Sequence, residues 1–300
     1  MEPTDHDLTG DQPRRGLRER LKFLLRRAMR PAVWDLECSM RRVESAVEEL
    51  RREAHREARA PGVGAVWRGG PEGHAVAPDG GPDHAATRKY RDELAYWIAA
   101  VGGRDPAHGE DFVDIFVTWQ KTRLNELADR LGIERTEAMD AWCSGRDAVE
   151  IGGGPIPACA FRPWRSAVAA DPLAEGYLAG GVVHPEAARR GVIMLPACGE
   201  SLPLASGCAD LVIAENCLDH TDDPARVVAE IHRVLRPGGL LWLLVDLMDH
   251  ADHMHPNPMS PERLDAITLP LGFSYRYRES WEGASHPMAR QQLRALLTRP

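Results

Sequence analysis

Three groups of residues carry side chains whose types and spacing could do chemistry. The first is Ala148-Val-Glu-Ile-Gly-Gly-Gly-Pro-Ile156, with Asp171 fifteen residues beyond Ile156. An apolar run holding an acid and then three glycines reads as a buried strand that turns sharply and lets another molecule lie against bare backbone. A helix is expected to start just beyond, its N–H groups pointing at the ligand, with Glu150 accepting a hydrogen bond from a cationic or hydroxylated group. Asp171 closes a second small apolar run, where an acid in a parallel doubly wound sheet can take both hydroxyls of a ribose. The second group is Asp219-His220: the imidazole titrates close to neutrality and can accept a proton, and the carboxylate can orient it or act as the base itself. The third is Asp246, Asp249, His250, Asp252, His253 and His255. Its ligand types suit a divalent metal. The spacing matches no closed zinc pattern, so the expectation is no metal, with His250, His253 and His255 giving polar contacts to a substrate.

Positioning these groups requires an alternation of strands and helices. Ser166–Ala170, Val192–Pro196, Ala209–Ala214 and Leu240–Val245 are the further apolar runs. A helix over Pro224–Leu235 and the turn Arg236-Pro-Gly-Gly239 precede the last of them. The expected fold is α/β, a Rossmann-like doubly wound sheet whose ligands lie at the carboxyl ends of the strands.

The segment Cys208-Ala-Asp-Leu-Val-Ile-Ala-Glu-Asn-Cys-Leu-Asp-His220, continuing through Val234-Leu-Arg-Pro-Gly-Gly239, resembles the class I S-adenosylmethionine-dependent methyltransferases of the small-molecule branch. The resemblance covers Ala148 to Val245. It implies a seven-stranded sheet closed by an antiparallel hairpin, Gly272–Ser280 with Gln291–Thr298, although Arg-Gln-Gln-Leu-Arg-Ala-Leu-Leu prefers a helix locally. It implies that Glu150, Gly152, Gly153 and Gly154 hold the methionine part of S-adenosyl-L-methionine and that Asp171 takes the ribose. Gly199 and Glu200 would border the adenine, Glu215 and Asn216 would line the methionyl side, and His220, assisted by Asp219, would be the general base. Two positions depart from the family: Ile156 replaces a third glycine, and Cys198 stands where an acid commonly contacts the adenine amino group.

The rest of the chain divides by composition: a polar tail (1–13), a basic amphipathic and coiled-coil-like helix (14–58), a Gly/Pro-rich linker (59–86), helices resembling a lid (87–145) and the methyltransferase-like domain (146–300). In the basic stretch Arg14, Arg15, Arg18, Arg20 and Lys22 flank Leu17 and Leu21, a composition suited to an anionic membrane surface or to packing on the protein itself. Val33, Leu36, Met40, Val43, Val47 and Leu50 suit a coiled-coil seam, hence a homodimer or an intramolecular helix pair. Within the helices before the sheet, Tyr90, Leu94, Trp97 and Ile98 share one face, as do Phe116, Trp119, Leu124 and Leu127; Arg123 could face an anionic substrate.

With 300 residues and 43% hydrophobic composition the chain can bury a sizeable core. A formal charge of -8 argues against a nucleic-acid partner, and no Asp/Asn-Pro-Pro-aromatic motif is present. Six cysteines with no C-x-x-C pair read as reduced thiols of a cytoplasmic protein. By analogy the acceptor is an oxygen of a sugar or other small molecule. The competing readings are a cofactor-binding scaffold without catalysis and a nicotinamide-dependent oxidoreductase; the latter has no place for Leu-Asp-His or Arg-Pro-Gly-Gly.

Overall fold

The computed structural model describes residues 84–103, 111–282, 289 and 291–300. The expected basic helix, coiled-coil seam and almost all of the linker, with the membrane contact and the dimer drawn from them, lie outside the described residues. The helices before the sheet belong to the same compact unit as the sheet, residues 70–300. No helix among the described residues is long and apolar enough to cross a membrane.

Three helices come first: α1 (His84–Val101), α2 (Phe112–Leu131) and α3 (Glu137–Ser144). Then follow β1 (Asp147–Ile151), β2 (Ser166–Ala170), α4 (Ala174–Gly180), α5 (Pro185–Arg189), β3 (Ile193–Leu195) and β4 (Ala209–Glu215). The chain ends with α6 (Pro224–Val234), β5 (Leu235–Leu247), α7 (Pro261–Thr268), β6 (Ser274–Glu282) and β7 (Gln291–Thr298). The sheet order is β3-β2-β1-β4-β5-β7-β6. All pairs are parallel except β5 with β7 and β7 with β6. This is the expected seven-stranded Rossmann-like sheet, and it reverses between β1 and β4, where open α/β sheets bind ligands.

Both faces of the sheet are covered, which explains why its central strands read as continuous apolar runs. Val212 and Ala214 of β4 join one core cluster with Leu241, Leu243 and the α6 residues Val227 and Ile231. Leu211 and Ile213 face the other way, against Trp242, Leu124 and Leu127. The expected hairpin forms in spite of the local helix preference of β7. Leu293, Ala295 and Leu297 alternate onto the first cluster and Leu296 onto the second. Burial on two faces and ladders on both edges thus outweigh a helix preference worth roughly a few tenths of a kcal/mol per residue.

The helix expected directly after the glycines does not form. In its place stands one 3-10 turn, Ala158–Phe161. Pro155, Pro157 and Pro163 supply no backbone N–H and bias the residues before them toward extended backbone, so no α-helix can propagate through the segment. Helices from earlier in the chain hold this shortened crossover: Gln120 on α2 donates to the Ile156 carbonyl at 3.1 Å, and Arg162 donates to Asp140 on α3 and to Asn125 on α2 at 2.8 and 2.6 Å. The α2 helix runs over the residues read from its spacing and ends at Gly132, whose φ of 68° provides a left-handed cap. Of its expected apolar face, Leu124 and Leu127 are buried while Trp119 is half exposed.

At the amino ends of the strands, Asp147 accepts from Arg165, Ser166 and Arg236, and Arg236 also pairs with Asp210 at 2.7 Å. The hydrogen bond from Arg165 is the main influence on the Asp147 carboxyl, and the network holds it well below the ordinary carboxylate range. A depressed native pKa contributes stability that is present above the unfolded value of about 4 and is lost as the pH falls through the native one. Asp147→Asn should therefore lose less stability than the wild type between pH 6 and pH 2.5. Urea midpoints measured across that range check the difference, and parallel curves would remove Asp147 from the account.

Candidate functional site

The carboxyl ends of β1, β2 and β4 meet at the reversal point. Gly152 and Gly154 carry φ angles of 68° and 59°, the left-handed region open to glycine. A Cβ on Gly152 would stand 2.5 Å from the Cys217 Cβ, whereas the atoms nearest to one on Gly154 belong to the Trp97 ring, at 3.4 Å. The close approach at Gly152 and the backbone turn at both positions thus depend on glycine. At Gly153 a Cβ would press on the Glu150 carboxylate at 2.9 Å.

Glu150 is buried, and its two oxygens accept from the backbone N–H groups of Ala158 and Cys159 at 2.9 and 2.7 Å. Burial pushes its pKa up to about 7 against the pull of those N–H groups. The carboxylate therefore caps the 3-10 turn and braces the glycine loop from within. Asp171 is also buried: its Oδ2 accepts from Gly154 N–H at 3.0 Å and its Oδ1 from Leu173 N–H at 2.8 Å. Burial raises it to about 6, opposed by the same two N–H groups. One side chain thereby ties the end of β2 to the glycine loop and keeps lone pairs on both oxygens.

The α1 helix brings residues that the sequence reading did not single out as site residues. Lys89 is buried, and the half-buried Glu93 is pushed up to about 7 by burial, then by the Asp171 charge, with Lys89 opposing. The Glu93 and Trp97 side chains are hydrogen-bonded. Tyr90 shares a hydrogen bond with Cys198, and burial raises both pKa values. The position where the family often has an acid is thus filled by a neutral thiol–phenol pair. Next to it Gly199 fits between Ile151 and Val227, 3.0 and 3.1 Å from where its Cβ would stand. Glu200 accepts from the N–H groups of Asp222 and Asp223 at 2.9 and 3.3 Å, joining two loops.

Glu215, at the end of β4, pairs with Arg123 of α2 at 2.9 Å and accepts from the Trp242 indole at 3.0 Å. Arg123, read as a contact for an anionic substrate, is engaged by this carboxylate. Asn216 adopts a φ of 46°, and its buried Oδ1 has no hydrogen-bond partner among the described residues. Left-handed backbone in a non-glycine residue costs on the order of 1 kcal/mol and concentrates at functional sites.

Asp219 and His220 lie in a short 3-10 turn, Leu218–His220. Asp219 is 1% exposed, and burial followed by the Asp246 charge pushes it up to about 7, against a backbone hydrogen bond. His220 packs against His255 with ring centroids 4.3 Å apart. The loop after β5 folds back to make this contact: Asn257 donates its N–H to the Asp219 carbonyl and its amide to the Thr221 carbonyl. Of the three loop histidines, His255 is brought into the site, while His250 and His253 are exposed. His255 Nδ1 lies 2.9 Å from Asp252 Oδ1. Burial alone would raise Asp252, but hydrogen bonds from His255 and Met254 outweigh it and hold the carboxyl at about 2.

Residues 165–243 match the methyltransferase domain family. The match begins beyond the glycine loop, at the point where the proline-rich crossover ends. A methyltransferase of uncharacterized specificity from Mycobacterium sp. (strain JLS) is 39% identical over 108 residues, 35% of this chain and 41% of that protein. A dimethylglycine N-methyltransferase from Parasynechococcus marenigrum is 39% identical over 80 residues, 26% of this chain and 28% of that one. The matched part therefore spans about two-fifths or less of these relatives. Among solved structures, the Burkholderia thailandensis 1,6-didemethyltoxoflavin-N1-methyltransferase, with S-adenosylhomocysteine bound, shares the fold at a TM-score of 0.50 and 18% identity, covering 74% of this chain and 92% of that one.

The residues at the reversal point suit the cofactor of that family. Left-handed glycines open the loop, Asp171 offers lone pairs beside it, and buried carboxylates with raised pKa values favour a ligand carrying a positive sulfonium and ammonium. Strand order, glycine loop and the match over residues 165–243 are those of the methyltransferase domain fold, and they support S-adenosyl-L-methionine as the cofactor.

Proposed function

We propose that this chain transfers a methyl group to an oxygen of a small molecule or sugar, with His220 receiving the acceptor's proton. The observation that carries the reading is the placement of Asp219 and His220 at the carboxyl end of β4, beside the strand that leads into the glycine loop. When bound, S-adenosyl-L-methionine supplies an electrophilic methyl group on a positively charged sulfur. The protein's tasks are then alignment, exclusion of water and removal of a proton. Gly152 to Gly154 and Asp171 hold the donor side. Lys89, Glu93 and Trp97 on α1 cover it. His220 takes the proton, with Asp219 as its neighbour, and His255 shapes the acceptor side.

His220→Ala should leave S-adenosylhomocysteine affinity within about twofold and lower turnover by about 10²- to 10⁴-fold, the usual contribution of a positioned base. Calorimetric titration and release of the demethylated cofactor check the two halves; undiminished turnover would sink the assignment.

A nitrogen acceptor is the second reading. The carboxylates of Glu93 and Asp219 favour an ammonium group, which would give up its proton before its lone pair attacks the methyl group, and the Parasynechococcus marenigrum relative is a dimethylglycine N-methyltransferase. Side-by-side assays with hydroxylated and amine acceptors decide between the two.

A further inference from the structure

Asp219, His220 and His255 each offer a ligand atom, and these atoms all lie within 4.8 Å of one another. They come from two segments, the end of β4 and the loop after β5, pinned together by Asn257. Asp219 and His255 are buried. Asp219 Oδ1 has no hydrogen-bond partner among the described residues, an acceptor left unsatisfied in a carboxylate that is 1% exposed.

We propose that these three residues form the ligand set of a divalent first-row transition metal, with Asp252 as the outer carboxylate that orients His255. Two imidazoles and one carboxylate suit zinc, cobalt, iron or manganese and suit calcium and magnesium poorly, because the latter two take oxygen ligands. Three protein ligands leave positions open, the arrangement of a reactive and not a closed structural site. Asp252 engages Nδ1 of His255 at 2.9 Å, which fixes the orientation of the ring. A carboxylate behind a ligating histidine is the usual outer support of such sites. Donors around a tetrahedral zinc stand about 3.4 Å apart, so small side-chain rotations close the present spacing.

The spacing within the loop after β5 fits no metal site because the ligand set spans two segments of the chain. Folding brings one of that loop's histidines to a pair 35 residues away, as the numbering of His220 and His255 shows. His220 would serve as the base in the metal-free protein and as a ligand when an ion is held. The ion's charge then lowers the pKa of the acceptor hydroxyl, whose proton leaves to water. That last step rests on the methyl-transfer reading; the binding of the ion does not.

The test uses the full chain without an affinity tag, stripped with chelator and titrated with Zn²⁺ by calorimetry and with Co²⁺ by visible absorption. One equivalent is expected, with the intense bands of low-coordinate cobalt. His255→Ala and Asp219→Asn should each weaken binding by at least about 100-fold, and Asp252→Asn by about 10- to 100-fold. His232→Gln, on α6 against Phe273, should bind as the wild type does. The nearly isosteric Asp219→Asn carries the test should His255→Ala fail to fold. Absence of stoichiometric binding, or unchanged affinity in Asp219→Asn, overturns the proposal. Titration of the same samples with S-adenosylhomocysteine separates the two ideas: cofactor binding without metal binding sinks only the metal site, and the converse sinks only the methyl-transfer reading.

Discussion

Asp171→Ala is expected to weaken S-adenosylhomocysteine binding by on the order of 100-fold or more while leaving the chain folded. The carboxylate accepts from Gly154 and Leu173, so its removal loosens the glycine loop as well as deleting the acceptor we propose for a ribose. Hydrogen bonds to a charged group contribute about 1.5–3 kcal/mol each, and every 1.4 kcal/mol is tenfold in affinity. Asp171→Asn keeps one carbonyl acceptor and should fall between. Calorimetry of both variants tests this, run beside a nicotinamide dinucleotide that the wild type should not bind. An Asp171→Ala chain that binds the cofactor product at wild-type affinity would place the ribose elsewhere. A wild type that binds the cofactor product but transfers no methyl group to any acceptor would instead favour the scaffold reading.

Arg123→Met should cost about 3–5 kcal/mol of stability, the second large effect. The pair with Glu215 is buried, with side chains 12% and 6% exposed, and removing one partner strands the other charge in a poorly solvated place. The Trp242 indole, still 3.0 Å from Glu215 Oε1, satisfies only part of that carboxylate. The double variant Arg123→Met/Glu215→Gln should recover most of the loss, because no charge is then left behind. Urea unfolding of the two singles and the double closes the cycle, and a double variant no more stable than Arg123→Met would rule out the stranded charge as the cause.

Where local pattern and tertiary demand agree, the sequence was a sufficient guide. The bounds of α2 follow from its leucines and its glycine cap, and β2 and β4 follow from apolar runs bounded by turn residues. The carboxyl-end positions of Gly152, Gly154, Asp171, Asp219 and His220 followed from the same pattern. The β7 strand was legible only through the family resemblance, because its period-2 burial is masked by residues that favour helices. Lys89 and Glu93 were not legible as site residues: charges on an amphipathic helix look like a solvated face, and only docking of α1 buries them. The one available signal was Glu93 four residues before Trp97, which puts both on the same side of the helix. His255 could not be told from His250 and His253 by spacing, since the fold-back of the loop through Asn257 selects it. The missing helix after the glycines was foreshadowed by Pro155 and Pro157, whose effect on the backbone outweighs the habit of the fold.

The shortened crossover bears on where an autonomous fragment of this protein can begin. The segment carrying the family signature starts at residue 165, and a fragment cut at β1 would include every strand. It would nevertheless lack Gln120, Asn125 and Asp140, which hold Ile156 and Arg162 in place. It would also leave Leu211, Ile213 and Trp242 without the helical layer that covers them. Because α1 to α3 precede the sheet in the chain, they leave the ribosome first and must wait, apolar faces exposed, for the strands on which they dock. Expression boundaries chosen from the signature alone are therefore expected to give an aggregating core, and a fragment that keeps these contacts has to start upstream of α2.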